Sequence, residues 1–200
     1  MKLYIIRHGQ TEWNVQGRIQ GRQDIPLNDT GRRQAAMLAK GMEHRPVQII
    51  YSSPQLRAME TAKAVAQSQG AQIIGLADLK EIGYGDWEGR TAEDILKEDR
   101  ALYEAWWEHP ATVAPPGGET LSQVDGRCER AWERIRTEMK GDTAVVAHGG
   151  TLAHFIVHLL EGQPEAKEIV VGNASITTLE YDPQTGQCTL VELNDVSHLK

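Results

Sequence analysis

LYIIRHG, residues Leu3 to Gly9, is a run of four apolar residues that stops at an arginine, a histidine and a glycine. Short apolar runs bounded by turn signals read as buried strands. Two others have the same form: VQIIY (Val47 to Tyr51), which ends at Ser52-Ser53-Pro54, and TAVVA (Thr143 to Ala147), which ends at His148-Gly149-Gly150. Each of the three is followed by a turn signal and then a helical pattern. Strands alternating with helices predict an α/β fold, a three-layer α/β/α sandwich with a mainly parallel central sheet.

The helices between the strands can be placed by their caps. Asn28 is a candidate N-cap for a helix to Met42, with Ala35, Leu38 and Met42 at helical spacing. Ser53-Pro54 reads as a cap and a first helical proline, opening a helix to Gly70. Thr91 with Asp94 resembles a capping box and predicts one helix to about Trp107, before Pro110. After Pro115, Pro116, Gly117 and Gly118, a further helix carries Leu121, Val124, Cys128, Ala131, Ile135 and Met139 at steps of three and four. Gly149-Gly150 lead into another, through Leu160. The tail predicts two strands, about Ala174 to Tyr181 and Gln187 to Leu193, joined at Asp182, Pro183 and Gly186. The 200 residues, without a linker or repeat, predict a single domain over 1–200.

Composition limits the functional classes. Acidic residues outnumber basic ones, 28 to 21, for a net charge of −7. That balance argues against nucleic-acid binding, which needs a basic footprint. A few arginines in a cleft can still focus a field on a small anion. No stretch approaches the ~20 apolar residues of a membrane span. The first apolar run is too short for a signal-peptide core, so the expectation is a cytoplasmic protein without membrane contact. The two cysteines, Cys128 and Cys188, lack metal-ligand spacing and read as reduced thiols.

The chemistry gathers where such a sheet places ligands, beyond the carboxyl ends of its strands. Arg7-His8-Gly9, Ser52-Ser53-Pro54 with Arg57 one turn later, and His148-Gly149-Gly150 each leave a predicted strand. Arginine is a permanently charged fork matched to phosphate oxygens. Histidine can act as nucleophile, acid–base group or metal ligand. Glycine beside each histidine allows close backbone approach, and helices starting near Ser53 and Gly150 offer amides to an anion. The set suits a bound phosphoryl group.

These residues lie in motifs that resemble the histidine phosphatase (phosphoglycerate mutase-like) superfamily. IIRHGQTEWN (Ile5 to Asn14) resembles its Arg-His-Gly signature, with Gln10 where many members carry Glu. GRIQGRQDIPLNDTGRRQA (Gly17 to Ala35), SSPQLRAMETA (Ser52 to Ala62), LKEIGYGDWEG (Leu79 to Gly89), PGGET (Pro116 to Thr120) and VVAHGG (Val145 to Gly150) follow in the family's order. The resemblance implies a phosphoglycerate mutase-like fold and a phosphomonoesterase that needs no metal or other cofactor. It implies that His8 is the nucleophile and Glu81 the acid and base. Arg7, Asn14, Arg57, His148 and the Gly149 amide would hold the phosphoryl oxygens. His8 must attack as neutral imidazole, so its other ring nitrogen needs a fixed acceptor such as a backbone carbonyl.

Other readings stand beside this one. A phosphoglycerate mutase of the same family typically carries an insertion with arginines after the acid-bearing segment. Here GDWEGRTAEDILKED (Gly85 to Asp99) runs straight into a helix, which favours the compact phosphatases: alpha-ribazole phosphatases, broad-specificity phosphatases and metal-independent phosphoserine phosphatases. A non-catalytic phospho-ligand binder is the alternative outside enzymes. A metal phosphatase would want a carboxylate-rich cluster, and a nucleotide triphosphatase a GxxxxGK[ST] loop. His154 and His158 have ligand spacing but read as packing or surface. Trp106 and Trp107 read as packing a helix onto the core, with one as a candidate wall for an apolar leaving group. Arg18 and Arg22 are candidates for the site's edge. The expected partner is a small phosphomonoester, and an exposed tail strand would offer an edge for a homodimer.

Overall fold

The computed structural model of the chain describes residues 1–160 and 169–200. Its strands are β1 (Lys2–Arg7), β2 (Ile49–Ser52), β3 (Gln72–Gly75), β4 (Thr143–Ala147), β5 (Ile176–Tyr181) and β6 (Cys188–Asp195). Its α-helices are α1 (Glu12–Val15), α2 (Asp29–Gly41), α3 (Leu56–Gln69), α4 (Ala92–Glu98), α5 (Arg100–Glu108), α6 (Leu121–Glu138) and α7 (Gly149–Leu159). The six strands form one sheet in the order β3-β2-β4-β1-β5-β6. β1, β2, β3 and β4 run parallel, while β5 and β6 pair antiparallel at one side. The sheet is therefore mainly parallel, as the alternating pattern predicts.

The period-two alternation of β1 divides the core into two layers. Leu3 and Ile5 pack in a cluster with Val124, Cys128 and Ile135 of α6 and Leu152, Phe155 and Ile156 of α7. Tyr4 and Ile6 pack in another with Leu38 of α2 and Ala58, Ala62 and Val65 of α3. Helices on both faces explain why the strand reads as uninterrupted apolar sequence. Cys128 and Cys188 are both buried, and burial pushes their thiols up to about 12 and about 11.

Most helix starts follow their local chemistry. Asn28 accepts from the Gly31 amide at 2.8 Å, and Thr91 with Asp94 forms the expected capping box. Two expectations differ from the structure. The helix predicted from Thr91 to Trp107 is two: α4 ends at Asp99, whose carboxylate accepts from the Leu102 amide and caps α5. The polar stretch Lys97 to Arg100 carries no apolar residue to hold a continuous helix against the core. Ser53-Pro54 does not open α3, which begins at Leu56 behind Gln55. Ser53 instead remains extended beside β4, its amide donating to the Val146 carbonyl at 2.9 Å. The short edge strand β3 and the single turn α1 have too few residues for a periodic signal.

Candidate active site

Parallel β1, β2 and β4 bring their carboxyl ends to one edge of the sheet. There the His8 amide donates to Ala147 at 3.0 Å, tying the end of β1 to that of β4. A cleft of about 300 Å³ opens at this edge, and Arg7, His8, Asn14, Arg57 and Glu81 line it. His148 is fully buried beside His8, the two ring centroids 5.1 Å apart. The Gly149 backbone lies so close to Arg7 that a Cβ there would sit 3.2 Å from the guanidinium carbon. The seven residues singled out in the sequence thus converge.

His8 is held in one tautomer. Its Nδ1–H donates to the Gly9 carbonyl at 2.6 Å, the backbone acceptor that attack by a neutral imidazole requires. Thr61 accepts from the Gly9 amide at 3.1 Å and fixes that loop to α3. Burial pulls the His8 pKa well below the ordinary 6.5, and Arg57 and Arg7 lower it further against the Gly9 hydrogen bond. At neutral pH the ring is uncharged, with the lone pair on Nε2.

The cations around it are anchored by backbone oxygens. Arg7 Nη1 donates to the Val171 carbonyl at 2.7 Å. Arg57 donates from Nη1 to Gln23 at 2.8 Å and from Nη2 to Gly21 at 3.0 Å. Burial lowers both pKa values, that of Arg57 to about 10. Both therefore stay charged at neutral pH. Ser53 Oγ lies 2.8 Å from His148 Nε2 and already accepts from the Gln55 amide at 3.3 Å. A Ser53 hydroxyl that donates to Nε2 leaves the His148 proton on Nδ1. His148 Nδ1, Arg7 Nε and Arg57 Nε are all buried without a partner. Buried donors are rarely left unpaired, so this cluster of unmet donors suits an anion. Burial, then Arg57 and His8, hold the His148 pKa well below its ordinary value too. Asn14 serves two ends: its Oδ1 accepts from the Thr11 amide at 3.0 Å in the α1 capping box, and its side chain lines the cleft.

Glu81 meets the start of α7. Its Oε1 accepts from the Thr151 and Ile82 amides, both at 2.9 Å, and from the Thr151 hydroxyl at 3.1 Å. Its Oε2 accepts from Gly150 at 3.3 Å. The amides near Gly150 do face an anion, but it is the protein's own carboxylate at the positive end of the helix. The start of α3 is likewise taken: Asp24 accepts from the Leu56 amide at 2.6 Å. Gln55 links the two halves, donating to the Gly21 carbonyl at 2.9 Å and accepting from the Glu81 amide at 2.7 Å.

Several neighbours escape sequence reasoning. Asn173 donates to the His8 carbonyl at 3.1 Å from the far side of the chain. Tyr84 and Tyr103 line the cleft with Trp106 and Trp107. Trp107 does not pack onto the core: it is 63% exposed and its ring meets Trp106 and Tyr103. Arg18 lines the cleft, whereas Arg22 pairs with Glu119 at 2.9 Å. Burial disfavours the Glu119 carboxylate, but the Gly83 amide, Arg127 and Arg22 outweigh it and keep its pKa low. His154 pairs with Asp125 at 2.6 Å, and His158 lines a different cavity beside Trp132 and Tyr181. Among the described residues no helix is long and apolar enough to cross a membrane.

Comparison with known proteins finds relatives along nearly the whole chain. The model of the histidine phosphatase superfamily (branch 1) matches residues 3–196. The metal-independent phosphoserine phosphatase of Arabidopsis thaliana is 32% identical over 203 residues, covering 99% of this chain and 83% of its own. The phosphoglycerate mutase-like protein 4 of the same plant is 32% identical over 203 residues, covering 100% and 87%. The crystal structure of the alpha-ribazole phosphatase from Shigella flexneri superposes with a TM-score of 0.88 at 28% identity, covering 98% of this chain and 96% of that one.

Proposed function

Because this chain belongs to the histidine phosphatase superfamily, we propose that it hydrolyses small phosphomonoesters through a phosphohistidine on His8, without a metal ion. The observation that carries this reading is the His8 ring: neutral by burial, its Nδ1 proton on the Gly9 carbonyl, its Nε2 lone pair left for attack. In the first step Glu81 takes the proton of the bound phosphomonoester monoanion, Nε2 forms a bond to phosphorus as the ester P–O bond breaks, and Glu81 passes that proton to the leaving oxygen. In the second, Glu81 takes a proton from water, whose oxygen bonds phosphorus as the P–N bond breaks. Phosphate leaves and Nε2 regains its lone pair. Covalent catalysis thus divides one displacement into two. Phosphoryl transfer needs chiefly positioning and charge stabilisation. Arg7, Arg57, His148, Asn14 and the Gly149 amide supply these in place of a metal.

The test is phosphate release in excess chelator from p-nitrophenyl phosphate, phosphoserine, alpha-ribazole phosphate and 3-phosphoglycerate. The last is supplied with trace 2,3-bisphosphoglycerate and followed for isomerisation. Release undiminished by chelator supports the reading. Rapid isomerisation with little free phosphate would make the protein a mutase, and binding without turnover would make it a phospho-ligand carrier. His8→Ala is expected to abolish release while its circular dichroism stays that of the parent. Near-parental turnover by that variant would remove His8 as nucleophile.

A further inference from the structure

Two unlike groups of residues line the cleft. One is His8 with Arg7 and Arg57. The other is a set of rings, Tyr84, Tyr103, Trp106 and Trp107. The four rings form a continuous surface, with centroids 6.0 Å apart for Tyr84 and Trp106, 6.2 Å for Tyr103 and Trp106, and 5.2 Å for Trp106 and Trp107. Trp87 buttresses it from inside, buried and edge-on to Trp106 at 5.7 Å. Trp107, 63% exposed, presents a bare indole to solvent. The break at Asp99 sets α5 apart from α4, and Tyr103, Trp106 and Trp107 all ride on α5.

The charges beside this wall are few. Arg7 and Arg57 are anchored by backbone carbonyls. Arg22 is paired with Glu119, and Arg18, which does line the cleft, has its Nη1 on the Gly89 carbonyl at 2.7 Å. A substrate carboxylate would have to desolvate against four aromatic rings. A flat ring would gain burial and offset or edge-on stacking.

We infer that the site selects phosphomonoesters whose leaving group carries an aromatic or heteroaromatic ring, seated on the α5 wall, over those carrying a carboxylate. This rests on the phosphatase reading. Trp107 and Trp106 are its specificity-determining residues, and they touch the leaving group rather than the phosphorus.

The experiment compares kcat/KM for 2-phenylethyl phosphate, ethyl phosphate and phosphoserine. All are primary alkyl esters, so differences in leaving-group chemistry are small. The expected order places 2-phenylethyl phosphate first, through a lower KM. Trp107→Ala should lower the phenylethyl-to-ethyl ratio by roughly two- to tenfold, the range of a lost aromatic contact. Equal values for the phenylethyl and ethyl esters, preference for phosphoserine, or an unchanged ratio in Trp107→Ala would overturn the inference. Absence of phosphate release from all three would fail the phosphatase reading instead. The wall is then judged by tryptophan-fluorescence titration with 3-phenylpropylphosphonate and propylphosphonate, which do not hydrolyse. Tighter binding of the phenyl compound, weakened in Trp107→Ala, supports the wall; equal Kd values refute it.

Discussion

Replacing Glu81 by Gln removes the proposed proton-transfer group and little else. Oε1 carries the strong contacts, the Thr151 and Ile82 amides at 2.9 Å, and a glutamine carbonyl oxygen can keep all of them. The new amide group then faces the Gly150 N–H, where the carboxylate accepted only a long bond of 3.3 Å. Losing that bond costs about 1 kcal/mol, and losing the negative charge at the start of α7 costs roughly 0.3–1 kcal/mol more. For a domain of this size the melting temperature should fall by about 3–8 °C, so the variant stays folded. Its kinetics separate the steps. kcat/KM reports attack by His8 and departure of the leaving group, but not hydrolysis of the phosphoenzyme. On ethyl phosphate, whose leaving alkoxide needs a proton, kcat/KM should fall by about 10²–10⁴. On p-nitrophenyl phosphate it should fall by less than about tenfold. kcat should fall for both, since both share the water step, and p-nitrophenolate should appear in a burst. Equal losses of kcat/KM on the two esters would refute the acid role and leave Glu81 a structural cap on α7.

Two further outcomes test the surroundings of His8. Burial keeps the pKa values of His8 and His148 well below 6.5 in the folded protein, whereas the unfolded chain protonates both near ~6.5. Unfolding therefore takes up protons below that pH, and stability falls by up to about 1.4 kcal/mol per pH unit for each histidine. The melting temperature should drop by roughly 4–8 °C between pH 6.5 and 5.5, and a flat profile would show that the two rings do not stay neutral. Gly31→Ala would drive a Cβ into the Gln10 carbonyl, backbone that cannot rotate away, in the segment after His8-Gly9. Overpacking of this kind costs about 1–3 kcal/mol; a melt and an activity assay should both fall, and an unchanged pair would show that the loop has room to move.

The division between chain and fold is visible in particular residues. The three apolar runs, the Asn28 cap and the Thr91–Asp94 box are local, because a strand's face and a helix's first turn are set by neighbours within a few residues. From those, and from Arg7-His8-Gly9 and His148-Gly149-Gly150 at two strand ends, the sheet and its reactive edge could be read directly. The break at Asp99 could not, because Asp99 caps the end of α4 and the start of α5, and local spacing alone permits either one helix or two. The partners of the reactive groups also lay beyond reach. Arg57 is anchored by carbonyls at Gly21 and Gln23, Glu81 by amides at Gly150 and Thr151, and the His8 backbone by Asn173. Backbone carbonyls and amides have no residue identity, so no sequence pattern marks which of them will face a side chain many residues away. The sequence by itself determined which histidines and arginines leave the carboxyl ends of the parallel strands, and the strand–helix alternation that brings them to one edge. Only the tertiary structure decided which ring nitrogen of His8 stays free, that two helix N-termini are taken by the protein's own carboxylates, and that Trp107 stands in the cleft instead of the core.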